Sequence, residues 1–216
     1  MINSNLKKRI FTSLALLFIL ALIFYNNFIL VFSFLIIGSL SSIEFINLIR
    51  RISINFILKS MVSILFIIYI FLFCFYFFYF SSLIQLKTLI FTLLIGCIIS
   101  DVAAYFFGKI LKGPKLSKIS PKKTVSGSLG SIFFTTIFIS LSLTYNFNFF
   151  NVNYLFIGLI TSITCQLGDL FFSLLKRKAN LKDTGNFLPG HGGLLDRIDG
   201  ILIGLPLSFI SILIIF

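Results

Sequence analysis

Glu44, Asp101, Asp169, Asp183, Asp196 and Asp199 are the only six acidic residues in a chain of 216, and they stand among overwhelmingly apolar neighbours. A carboxylate near the centre of a bilayer costs roughly 2.5–3.5 kcal/mol on insertion scales, so an apolar chain keeps one within a helix only where something offsets that cost. Asp196 and Asp199 stand at i and i+3, on one face of a helix. Counted inward from the ends of the apolar runs at ~1.5 Å per residue, Asp101 lies about 12 Å, Asp169 about 10 Å and Asp199 about 9 Å deep. Carboxylates delivered to one level by three helices repel one another unless a divalent cation neutralises them, and oxygen-only ligands indicate Mg²⁺ or Mn²⁺. Asp169, Asp196 and Asp199 are the expected metal ligands. A second cation at the same cluster and a supporting role for Asp101 fit the same chemistry. The alternative is a helix-end ion pair of Asp196 with Arg197 or a loop Lys, with Asp169 a lone buried polar group. Glu44, close to Arg50 and Arg51, is expected to form a local ion pair.

Two loops supply matching cations. Ser120-Pro121-Lys122-Lys123-Thr124 lies in the first, and Lys176-Arg177-Lys178 with Lys182 opens the second. Acid beside base suits a metal–polyphosphate. Pro189-Gly190-His191-Gly192-Gly193 precedes the last apolar run, and small residues let backbone N–H groups at a helix N-terminus approach an anion closely. His191 reads equally well as a capping or interfacial residue.

Elements able to position these groups follow from the hydropathy pattern. Of the chain, 58% is hydrophobic and 11% charged, with a mean hydropathy of +1.11, which excludes a soluble globule. The fold class expected is all-α, a polytopic transmembrane helix bundle of about seven spans: 10–25, 28–49, 57–80, 86–107, 128–145, 154–175 and 195–216. Residues 1–216 read as a single integral membrane domain, with N-terminal helices over 1–100 and catalytic helices and loops over 101–216. With the cluster Lys7-Lys8-Arg9 on the cytoplasmic side, every later basic cluster falls there too and only Lys87 does not. The same cluster and the apolar run after it have the charge and length of a signal peptide but no small-residue cleavage pattern, so a retained first helix is expected. The net charge of +12 therefore reflects membrane topology and not nucleic acid. Cys74, Cys97 and Cys165 lie singly in apolar runs without metal or disulfide spacing.

The stretch Ser173-Leu174-Leu175-Lys176-Arg177, Lys182-Asp183-Thr184-Gly185, then Pro189-Gly190-His191-Gly192-Gly193-Leu194-Leu195-Asp196-Arg197-Ile198-Asp199 closely resembles the C-terminal signature of the phosphatidate cytidylyltransferases (CDP-diacylglycerol synthases). Asp101-Val102-Ala103-Ala104-Tyr105 is similar to that family's Asp-x-x-Ala-Tyr motif. Ser120 to Thr124 resembles its Ser-Pro-Lys-Lys-Thr motif, and Gly168-Asp169 its Gly-Asp. Val125 and Ser126 stand where the family usually has Trp and an acidic or amide residue, and Thr184 where it usually has Ser. The resemblance runs from Asp101 to the C-terminus.

It implies transfer of CMP from CTP to phosphatidic acid, giving CDP-diacylglycerol and pyrophosphate, with Mg²⁺ as cofactor. Asp169, Asp196, Asp199, Lys176 and Arg177 would be catalytic. Asp101, Tyr105, Ser120, Lys122, Lys123, Thr124, Lys182, Asp183, His191, Gly192, Gly193 and Arg197 would bind substrate. The expected partners are CTP, phosphatidic acid and the bilayer, with no nucleic acid and a homodimer left open. The expected location is the inner (cytoplasmic) membrane, multi-pass, with the active site facing the cytoplasm. The rival reading is a cation-coupled transporter using the buried Asp cluster as a relay.

Overall fold

Helix termini in this chain are written in its polar punctuation. In the computed structural model, residues 15, 18–117, 119–187 and 192–215 are described. Residues 18–25 are helical (α1), and the expected basic cluster Lys7-Lys8-Arg9 lies outside the described residues. Then follow α2 (Asn27–Arg51), α3 (Phe56–Ser82), α4 (Ile84–Leu111), α5 (Val125–Phe147), α6 (Asn153–Lys178) and α7 (Leu195–Ile215). These last six are each long and apolar enough to cross a membrane, and each lies within a few residues of an expected span. The protein is a multi-pass membrane bundle, and its surface carries large apolar side chains such as Phe56, Phe71, Leu129 and Phe133, as a lipid-facing surface requires.

Asn26 caps α2, its Oδ1 accepting from Phe28 N–H at 2.9 Å. Thr124 caps α5, its Oγ1 accepting from Gly127 N–H at 3.1 Å. Each fills one of the donors a helix start leaves open. α6 ends in a Schellman arrangement: Leu181 N–H reaches the Lys176 carbonyl at 2.8 Å and Asn180 N–H the Arg177 carbonyl at 3.1 Å, with Asn180 left-handed at φ 53°. Asn takes here the place Gly usually holds.

Two compact units are distinguished, one of residues 1–83 with 175–198 and one of residues 84–174 with 199–216. The first packs α2 on α3 through aromatic side chains, Phe45 stacking on Phe66 with ring centroids 3.7 Å apart and Phe34 meeting Phe77 edge-on at 4.8 Å.

The second unit packs by close backbone approach. A Cβ at Gly158 of α6 would stand 2.6 Å from the Thr136 Cα of α5, and one at Gly168 of α6 would stand 2.9 Å from the Asp199 carbonyl oxygen of α7. Small residues serve this purpose in bilayers, where lipid tails give helices no hydrophobic reason to associate. Serine hydroxyls add a transverse chain through the same unit: Ser100 of α4 to Ser131 of α5 at 2.7 Å, Ser131 to Ser162 of α6 at 3.0 Å, and Gln166 Nε2 to Ser162 at 3.1 Å. All three serines are buried.

Gly158→Val should lower the detergent melting temperature by several degrees, since overpacking costs about 1–3 kcal/mol and each kcal/mol moves a chain of this size by about 2–4 °C. Gly38→Ala, whose nearest neighbour is the Ile70 side-chain methyl at 3.3 Å, should move it far less. Thermal-shift size-exclusion chromatography reads both, and equal effects would refute the backbone-contact account.

Candidate functional site

The loop between α4 and α5 is folded back on itself. Ser120 accepts from Lys123 N–H at 3.0 Å, Leu116 N–H reaches the Lys123 carbonyl at 2.8 Å and Val125 N–H the Pro114 carbonyl at 3.0 Å, beside an isolated antiparallel bridge between Lys115 and Thr124. Pro121, just after Ser120, supplies the fixed φ that favours such a turn. Ser126 Oγ also donates to the Lys112 carbonyl. The result holds Lys123 over α6, where its ammonium pairs with Asp169, while Lys122 stays exposed in the turn.

Asp169 belongs to the second unit together with Asp101 and Asp199. Gly168, one residue before Asp169, is packed against the backbone of α7 at Asp199 and Gly200. A Cβ on Gly200 would stand 3.9 Å from Asp101 Oδ1, so α4 brings its carboxylate to the same place. Asp199 is buried, its Oδ1 accepting from Gly200 N–H at 2.9 Å. Asp169 is thus not the lone buried group of the alternative reading. Tyr105, one turn past Asp101, is exposed, with the Lys109 ammonium 5.9 Å from its ring centroid.

In the first unit the α6–α7 loop is organised by two carboxylates. Asp196 Oδ1 accepts from the Lys176 ammonium at 2.7 Å. Its Oδ2 accepts from Thr184 N–H at 2.8 Å and from Gly193 N–H at 3.1 Å. The ion pair with a Lys is the arrangement weighed in the alternative reading of Asp196, and it coexists with two backbone donors.

Glu44 departs from expectation. It makes no ion pair with Arg50 or Arg51 among the described residues. Instead, 1% exposed, it accepts from Thr184 Oγ1 at 2.8 Å, Leu194 N–H at 3.0 Å and Leu195 N–H at 2.8 Å. The physical reason is burial. The first N–H groups of α7 need acceptors, and a carboxylate facing them satisfies both needs together. Position 184 needs a hydroxyl to complete the set, which Thr supplies as well as Ser. A Cβ at Gly193 would come 2.6 Å from Glu44 Oε2, and one at Gly185 would come 2.9 Å from its Cδ. These two glycines therefore make room for Glu44. Gly192, at φ +87°, is in the left-handed region.

The backbone donors expected to receive a phosphate are consequently occupied internally, Gly193 by Asp196 and the next two by Glu44. His191, Pro189 and Gly190 lie outside the described residues. Arg177 sits in the last turn of α6, Arg197 in the first of α7, and Lys182 and Asp183 on the exposed loop. Sequence reading missed Glu44 because its partners lie 140 to 151 residues away. The available signal was a lone carboxylate flanked by apolar residues.

Among the described residues no group of three or more His, Cys, Asp and Glu side chains is drawn tightly enough to hold a metal. The donor chemistry nevertheless fits a hard divalent cation. Only carboxylate oxygens are offered, and the Asp169 side chain keeps 28% of its accessibility.

A model of the cytidylyltransferase family matches residues 9–215. The chain is 48% identical over 117 residues to the phosphatidate cytidylyltransferase of Rickettsia bellii, covering 50% of this chain and 51% of that protein. It is 45% identical over 113 residues to the protein of that name from Staphylococcus aureus, covering 50% and 43%. It is 40% identical over 111 residues to that of Synechocystis sp., covering 51% and 38%. The matched stretches span about half or less of the length of these relatives.

Glu44→Ala strips the acceptor from two buried N–H groups and one hydroxyl, at about 1–3 kcal/mol each. Trypsin should then cut after Lys182 at least tenfold faster than in the unaltered chain, with Glu44→Gln in between. Unchanged cleavage would mean that Glu44 does not hold the loop.

Proposed function

The chain belongs to the cytidylyltransferase family, and from that premise we propose that it is a phosphatidate cytidylyltransferase, moving CMP from CTP onto phosphatidic acid and releasing pyrophosphate. What supports this most is the pairing of a motif lysine with a motif carboxylate in each unit, Lys123 with Asp169 and Lys176 with Asp196.

The lipid phosphate has a second pKa near ~6–7 and is already anionic at neutral pH, so its oxygen needs no general base to attack the α-phosphorus of CTP. The obstacle is repulsion between anions. Asp169, Asp196 and Asp199 are proposed to hold Mg²⁺, with Asp101 in support and a second cation at the same cluster; the metal would supply positive charge against the negative charge of the polyphosphate. Lys123 and Lys176, released from their carboxylates, turn to phosphate oxygens. Lys122, Arg177, Lys182 and Arg197 add positive charge at the loops. Ser120 and Thr124 fix the turn that aims Lys123, and Tyr105, Asp183, His191, Gly192 and Gly193 complete the substrate-binding set. Because the lipid stays in the bilayer and CTP in water, the site is proposed at headgroup level on the cytoplasmic side of the inner membrane. Family membership leaves the transporter reading without support.

Purified protein in detergent with phosphatidic acid, Mg²⁺ and labelled CTP should yield lipid-extractable label. EDTA should abolish it and added Mg²⁺ restore it. Asp199→Asn should lower the rate at least a hundredfold with an unaltered gel-filtration profile. A wild-type chain that yields no labelled lipid would overturn the reading, and a fully active Asp199→Asn would remove the metal assignment.

A further inference from the structure

With the N–H groups of Gly193, Leu194 and Leu195 taken up by Asp196 and Glu44, the cations beside this loop are the stronger donors to an incoming phosphate. The first unit contains a pocket of about 530 Å³ where the end of α2 meets the loop after α6. Its charged lining is Arg50, Arg51, Lys182 and Asp183, and amides come from Asn47 and Asn186. Counting those four charges leaves a surplus of two positive, and no acidic residue other than Asp183 lines it.

Basic residues at a helix end often do no more than set topology. Three features here go further. Among the described residues neither arginine nor Lys182 takes part in the ion pairs Lys123–Asp169 and Lys176–Asp196, and the one carboxylate in their common lining is Asp183. All three cations line one concave surface of a volume suited to a small ligand. The loop wall is also fixed from behind, because Thr184, itself in the lining, donates both its N–H and its hydroxyl to buried carboxylates. Two guanidinium forks and an ammonium on a fixed wall match a phosphate dianion in charge and in hydrogen-bond geometry.

We propose that the Arg50–Arg51–Lys182 pocket is a phosphate-binding subsite, taking a phosphate-ester or polyphosphate anion. Arg50 and Arg51 are thereby added to the residues that contact substrate. Which substrate carries the phosphate, the nucleotide or the lipid, rests on the transferase reading; the anion site itself does not.

The full chain, purified in neutral detergent, is titrated calorimetrically with inorganic pyrophosphate and with CTP, and separately mixed with micelles containing phosphatidic acid or, as control, phosphatidylcholine. The Arg50→Gln/Arg51→Gln double variant should bind at least tenfold more weakly in one arm, and Arg50→Lys/Arg51→Lys should recover part of the loss. A deficit toward pyrophosphate and CTP assigns the pocket to the nucleotide, and one confined to phosphatidic acid assigns it to the lipid headgroup. Lys87→Gln, which removes a cation elsewhere, should bind like the parent chain. Unchanged binding in both arms, or equal weakening by Lys87→Gln, would overturn the proposal. Neither readout needs turnover, so a chain that makes no CDP-diacylglycerol can still bear the subsite out.

Discussion

A carboxylate placed in an apolar bundle is tolerable only where donors or cations surround it, and much of the polar structure of this chain answers that requirement. Glu44 is enclosed by two main-chain N–H groups and one hydroxyl. Asp196 has two main-chain N–H groups and an ammonium, and Asp169 has an ammonium. Each solution recruits a loop: the α6–α7 connection for the first two, the α4–α5 connection for the third. The loops are therefore ordered by buried charge, and the residues that look like a substrate signature are in part the scaffold that makes burial affordable. The two functions are compatible, since a carboxylate held by a lysine and backbone donors is also aimed.

Within the second unit, helix association relies on near contact of main chains and on hydroxyls, because hydrocarbon surroundings give no reward for burying Leu against Leu. Gly158 and Gly168 permit that contact, and Ser100, Ser131 and Ser162 tie three helices crosswise. Gly168 precedes Asp169 directly. Tight packing at that residue brings α6 against the backbone of α7 at Asp199, so the glycine that allows close approach also sets where the carboxylate stands.

The helices were legible because span length and hydropathy are local quantities: the run from 57 to 80 became Phe56–Ser82 and the run from 154 to 175 became Asn153–Lys178. The motif lysines were legible as cations near carboxylates, and two of them, Lys123 in the α4–α5 loop and Lys176 in the last turn of α6, pair as acid with base. What local reading missed was partnership across long sequence separation. Glu44 was matched with the nearby Arg50 and Arg51, whereas burial sent it to Thr184, Leu194 and Leu195. Gly185 and Gly193 were legible as small but not for their purpose, since the side chain they accommodate belongs to a different helix. The serine chain escaped for the same reason: single hydroxyls in apolar runs carry no periodic signature, and only three-dimensional proximity gives them partners.

Two of the three groups that hold Glu44 belong to the main chain. Substitution at 194 or 195 cannot delete a main-chain donor unless proline is introduced. Side chains there can consequently drift among apolar types without loosening the grip, and the burden of heredity falls on the carboxylate at 44 and the hydroxyl at 184. The clasp is robust to mutation where it is made of backbone, and fragile at positions 44 and 184 and at the two glycines, 185 and 193, that leave space for the carboxylate.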